Sequence, residues 1–139
     1  MGFSVFRVAL GVLFMAVACS VSFAIGGRSV RRVALAIAVC WVAATALQLL
    51  AQSQWPGIIG DVACGLFILV LAAREPQLWL WALVVVEAGL FILHALLFTV
   101  GKPPTMPEII CNNLLVSAGL VLLLLAAVRD RMSRKPSTS

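Results

Sequence analysis

IIGDVACGLFILVLAA, residues 58–73, decides how this chain is folded. The run is apolar enough to enter a membrane, yet it has only 16 residues. A spanning helix needs about 20, with a range of about 17–25. Whether the run crosses or dips in and returns decides the side of every later connection: each one changes sides between the two topologies.

Four further apolar runs flank it: Phe3–Ile25, Val33–Ala51, Leu78–Val100 and Ile109–Val128. The whole chain of 139 residues is 63% hydrophobic and 11% charged. Soluble domains are about 45–50% apolar and about 25% charged. An all-α integral membrane bundle is therefore expected, as a single domain over residues 1–128 with a basic tail over 129–139.

Charge decides the doubtful run. Suppose all five cross and the N-terminus is outside. Arg28, Arg31, Arg32, Arg74, Arg129, Arg131, Arg134 and Lys135 then face the cytoplasm, and only Arg7 and Lys102 face out. That is the positive-inside pattern. If residues 58–73 only dip in, four basic residues stay inside and six face out. The expected topology is five spans, N-terminus outside, C-terminus cytoplasmic, in the cytoplasmic membrane. An alternative takes Ala16-Val17-Ala18 before Cys19 as a cleavage site, which would leave four spans.

The net charge of +5 comes from these short clusters, not from a basic surface interleaved with aromatics. A nucleic-acid partner is not expected. Cys19, Cys40, Cys64 and Cys111 form no C-x-x-C pair and lie in apolar runs, so they read as small packing residues. Neither a metal site nor a cofactor is expected.

Some polar residues have local explanations. Glu75-Pro76 reads as the start of the fourth helix, and Thr105-Met106-Pro107-Glu108 as a capping box for the fifth. Asp130 reads as part of a solvated, disordered tail. Small residues every fourth position, Ala16/Ser20/Ala24 and Ala36/Cys40/Ala44, predict close helix contacts, within the bundle or between subunits.

The rest do not. Thr45, Gln48, Gln52, Asp61, Glu87, His94, Asn112 and Asn113 lie inside or beside the runs. Thr45, Gln48 and Gln52 share a helix face, as do Glu87 and His94. The topology puts Gln48, Asp61, His94, Asn112 and Asn113 in one outer layer contributed by four helices. His94 is six residues from the outer end of its run, about 9 Å at about 1.5 Å per residue. Glu87 is deeper, near mid-membrane, and apart from that layer. An acid at the bilayer centre costs about 2.5–3.5 kcal/mol on insertion scales, so Glu87 should face the interior or a subunit contact. Arg7 is the expected partner of Asp61 or Glu108.

No nucleophile, base and orienting group stand in a recognisable pattern, so an enzyme is not expected. In composition the chain resembles the phage-type holins: short, bland, multi-span, with a short basic tail. That resemblance implies a protein that oligomerises to form a pore or permeation path. Two further readings stand beside it. One is an accessory subunit of a larger membrane complex. The other is a small proton- or ion-coupled transporter using Glu87 and His94. The expected partners are the lipid bilayer and either further copies of the chain or another membrane protein.

Overall fold

The computed structural model describes residues 2–51, 55–100 and 106–133, with side chains from Leu10 onward except Met106. Five helices follow one another: α1 (Gly2–Ile25), α2 (Arg28–Ala51), α3 (Trp55–Arg74), α4 (Leu78–Val100) and α5 (Met106–Ser133). No strand occurs among the described residues. The regions 28–51, 55–74, 78–100 and 107–133 are each long and apolar enough to cross a membrane. The apolar stretch with described side chains in α1, Leu10–Ile25, is shorter. All five helices present large apolar side chains outward, among them Leu13, Leu35, Leu66, Val85 and Leu125. Length and surface together are those of a multi-pass membrane protein.

The doubtful third run gains length in the structure. Helix α3 has 20 residues, about 30 Å at about 1.5 Å per residue. The third apolar run begins only after Trp55-Pro56-Gly57. Proline is tolerated in the first helical turn, where its missing N–H has no partner to lose, so the helix starts before it. Helix α5 likewise runs five residues beyond Val128, taking Arg129 and Asp130 out of the expected tail.

The helices form a ring. α3 packs between α2 and α4, α4 packs on α5, and α5 closes lightly onto α2. α1 lies outside this ring, against α2 and α5. It fills that groove with Met15, Ala18 and Cys19, which pack with Leu120 against Trp41 and Val116. Residues of the alternative cleavage stretch are thus part of the core.

The main core lies toward one end. Val30, Val33, Ile68, Leu71, Leu80, Leu83, Leu123 and Ala127 meet there, near the α1–α2 and α3–α4 connections. The same end carries Arg28, Arg31, Arg32, Arg74, Arg129 and Arg131 and is called the basic end below.

Two acids organise the basic end, neither as the sequence suggested. Helix α2 starts with three arginines, which the positive N-terminal end of a helix dipole disfavours. Acids from other elements compensate. The Gly27 N–H donates to Asp130 Oδ2 at 3.0 Å. The Ser29 hydroxyl donates to Glu75, and Arg32 Nη1 lies 3.6 Å from Glu75 Oε1. Glu75 therefore serves α2 rather than the start of α4. There the Gln77 carbonyl accepts from the Leu80 and Trp81 N–H groups, so Pro76 precedes the cap instead of opening the helix.

Glu75→Ala is expected to cost about 1–2 kcal/mol, a cap-like contact plus a half-exposed ion pair. Glu75→Gln, which keeps an acceptor for Ser29, should cost less. Unfolding titrations in mixed detergent measure both; a loss under about 0.3 kcal/mol for the alanine variant would show the clamp to be idle.

Candidate functional site

The opposite end of the ring holds a cavity of about 290 Å³ between α2, α3, α4 and α5, with Met15 of α1 at its wall. Its polar lining comes from four helices at matching depth. Thr45, Asp61, His94 and Asn112 are each six residues from the near end of their own helix. Antiparallel neighbours of similar length put these positions on one level.

Each helix turns its polar groups inward by ordinary helical periodicity. On α2 the lining face is Ile37, Trp41, Ala44, Thr45 and Gln48. On α3 it is Gly57, Gly60, Asp61 and Cys64. On α4 it is Val86, Glu87, Leu90 and His94. On α5, Asn112, Leu115, Val116 and Gly119 face in. Each set combines steps of three or four residues with one adjacent pair, which is one side of a helix.

Glycines make the approach possible. A Cβ at Gly60 would lie 3.0 Å from the Ala44 Cβ and 3.5 Å from the Cys40 carbonyl oxygen. The small-residue face Ala36/Cys40/Ala44 is therefore an internal contact, where α2 and α3 cross. A Cβ at Gly57 would displace the Gln48 amide, the mobile end of that side chain. Gly65 lies under Glu87, so a Cβ there would meet the Glu87 Cβ at 3.5 Å.

One interaction links the polar level across helices. His94 Nδ1 and Asp61 Oδ2 are hydrogen-bonded between α4 and α3. Their side chains retain 30% and 26% exposure, so the pair is only partly shielded. Asn112 borders the imidazole, and its Oδ1 is buried without a hydrogen-bond partner. Nearer the rim, the Trp55 and Phe98 rings pack 4.4 Å apart at 55° and join the same two helices. Glu87 lines the inner part of the cavity and makes no hydrogen bond or ion pair among the described residues.

No protein-family model, curated protein or solved structure matches this chain. What it does must be read from the cavity.

Of the residues singled out in the sequence, Gln48, Asp61, Glu87, His94 and Asn112 come together here. Asn113 does not; it is exposed on the other side of α5. Gln52, Thr105 and the Arg7 side chain lie outside the described residues. The partner expected for Asp61 was Arg7, whereas the structure pairs Asp61 with His94. Glu87, expected to stand apart, shares the cavity with the outer layer. The shared helix face of Glu87 and His94 joins the two depths in one cavity.

Cys64 lines the wall on the face it shares with Asp61, as its spacing implies, whereas Trp41 and Cys40 were missed as wall residues. The signal was present for both: stepping back from Gln48 by helical intervals reaches Ala44, then Trp41 and Cys40. All four cysteines are free thiols. Among the described residues, no group of three or more His, Cys, Asp or Glu is placed to hold a metal ion.

Proposed function

We propose that the chain is a small multi-pass protein of the cytoplasmic membrane that carries a proton or small cation within its own helical ring, using Glu87 and His94. One observation carries this reading: Gln48, Asp61, Glu87, His94 and Asn112, from four helices, line a single cavity enclosed by one chain. Ionisable groups inside a bundle are costly and typically mark ion or proton pathways. A path assembled between subunits would need its polar groups on outward faces, and these face inward. That ordering favours a transporter-like protein over an oligomeric pore.

The orientation belongs to the same proposal. With the N-terminus outside and the C-terminus cytoplasmic, the basic end meets the cytoplasm and the polar end of the cavity faces out. His94 and Asp61 then form a relay near the rim, and Glu87 is the inner acceptor.

Proteoliposomes with an internal pH indicator and an imposed potential test this. The wild type should conduct protons. Glu87→Gln and His94→Ala should each slow the flux roughly ten-fold or more, since both remove a proton-carrying group. Unaltered flux in both variants would remove the reading.

A second reading, the holin-like pore or a complex with another membrane protein, is favoured by α1. Its small residues Ala16, Ser20 and Ala24 point away from the bundle and are exposed. Such a face suits close contact with another helix. Expression that leaves the membrane potential and cell integrity intact at high level would exclude the pore.

A further inference from the structure

We propose that the cavity binds a small protonated amine bearing one apolar or aromatic group, with the Glu87 carboxylate as its counter-charge. The proposal rests on reading the cavity as the working site, and it names the class of molecule that fits.

Charge comes first. The ionisable groups in the lining are Asp61, Glu87, His94, Cys40 and Cys64, with no lysine or arginine among them. Every arginine whose side chain is described lies at the basic end. The cavity therefore selects cations. Asp61 is already engaged by His94. Glu87 is the acid left available, and an unpaired carboxylate away from water is costly unless a partner arrives.

The coordination chemistry separates a metal ion from an organic cation. Calcium takes about 6–8 oxygen ligands and magnesium about six in strict octahedral array. Among the described residues, the cavity assembles no group of three or more His, Cys, Asp or Glu able to hold an ion. An ammonium group needs less: one carboxylate, one or two neutral acceptors, and apolar or aromatic wall for its substituents. Glu87 supplies the first. Asn112, beside the imidazole on the outer level, is a neutral acceptor in the same lining. Trp41, Leu90 and Val116 supply the third.

Size narrows the class. Ligand pockets commonly run from about 300 to 1,000 Å³, and this one is about 290 Å³. A one-ring or short-chain amine fits such a space and a drug-sized cation does not.

The test uses the full chain in lipid nanodiscs, titrated with benzylammonium chloride and, separately, with benzyl alcohol, a neutral molecule of nearly the same shape. Calorimetry reads the affinity. Trp41 fluorescence, isolated by replacing the other three tryptophans with phenylalanine, reads the location. Benzylammonium should bind saturably and change the Trp41 signal. In Glu87→Gln its affinity should fall at least about ten-fold, the effect of losing a charged hydrogen-bond partner. Benzyl alcohol should respond equally in both proteins, which also shows that the variant keeps its cavity. Absence of saturable binding, equal affinity for amine and alcohol, or undiminished binding to Glu87→Gln would each overturn the proposal. The proton-flux measurement is independent: flux that depends on Glu87 without amine binding would leave the transport reading standing and remove this one.

Discussion

Gly60→Leu is expected to destabilise the bundle by about 1–3 kcal/mol, the cost of forcing extra methylenes into a packed contact. At Gly60 even a single added carbon would press on the Ala44 Cβ at 3.0 Å. The neighbour on the other side is the Cys40 backbone carbonyl, which cannot rotate away. The two helices must separate, and in lipid little drives them back together, because the bilayer solvates apolar surface as well as a helix does. The control is Gly11→Leu on α1, where an added Cβ meets nothing within 4 Å. That substitution should stay within about 0.5 kcal/mol of the wild type. Unfolding in increasing denaturing detergent, followed by circular dichroism, compares the two. Equal stability of both variants would mean that α2 and α3 do not cross at Gly60.

The second large effect is the coupling between Asp61 and His94. A fully dry ion pair that loses one partner costs about 3–5 kcal/mol. Exposed pairs contribute about 0–1 kcal/mol. Interhelical hydrogen bonds in membrane bundles average about 0.6 kcal/mol and reach about 1.7. The Asp61–His94 pair retains 26–30% side-chain exposure, so it falls between these limits. A double-mutant cycle with Asp61→Asn and His94→Ala should give a coupling of about 1–2 kcal/mol. Each single variant should be less stable than the wild type. The double variant should be more stable than the sum of the two losses implies. Strict additivity would mean that the pair does not form in the membrane.

Much of this was readable in the sequence, and the misses have physical causes. Helix α4 runs over Leu78–Val100, the bounds of its apolar run, with Pro76 just before its start. Helices α3 and α5 are longer than their runs because hydropathy measures what lipid accepts, whereas backbone hydrogen bonding continues into Trp55-Pro56 and Arg129–Ser133. The polar level was legible as depth, since six residues on any helix correspond to the same rise. The facing of Glu87 was legible too, since it shares a face with His94, but not that one cavity reaches from the outer level down to it, where α3 offers Gly65 against its Cβ. The two small-residue faces were indistinguishable as patterns: one meets Gly60, and the other meets nothing in the bundle. The bonds from Glu75 and Asp130 to the start of α2 join connections far apart in the chain, which no local rule anticipates.

The core at the basic end bears on rate as well as stability. Ile68, Leu80, Leu83 and Leu123 are fully buried there, below the inner acid. Under the proposed function, an ion entering from the polar end would meet charged and neutral acceptors as far as Glu87, and then a layer of hydrocarbon. Crossing that layer means shedding the last polar contact, the step insertion scales price at about 2.5–3.5 kcal/mol or more per charge. On the proposed transport reading, selection and throughput would therefore reside in different residues: the acids and the imidazole would set which species is held, and the buried layer of Ile68, Leu80, Leu83 and Leu123 would set how often one leaves by the far side.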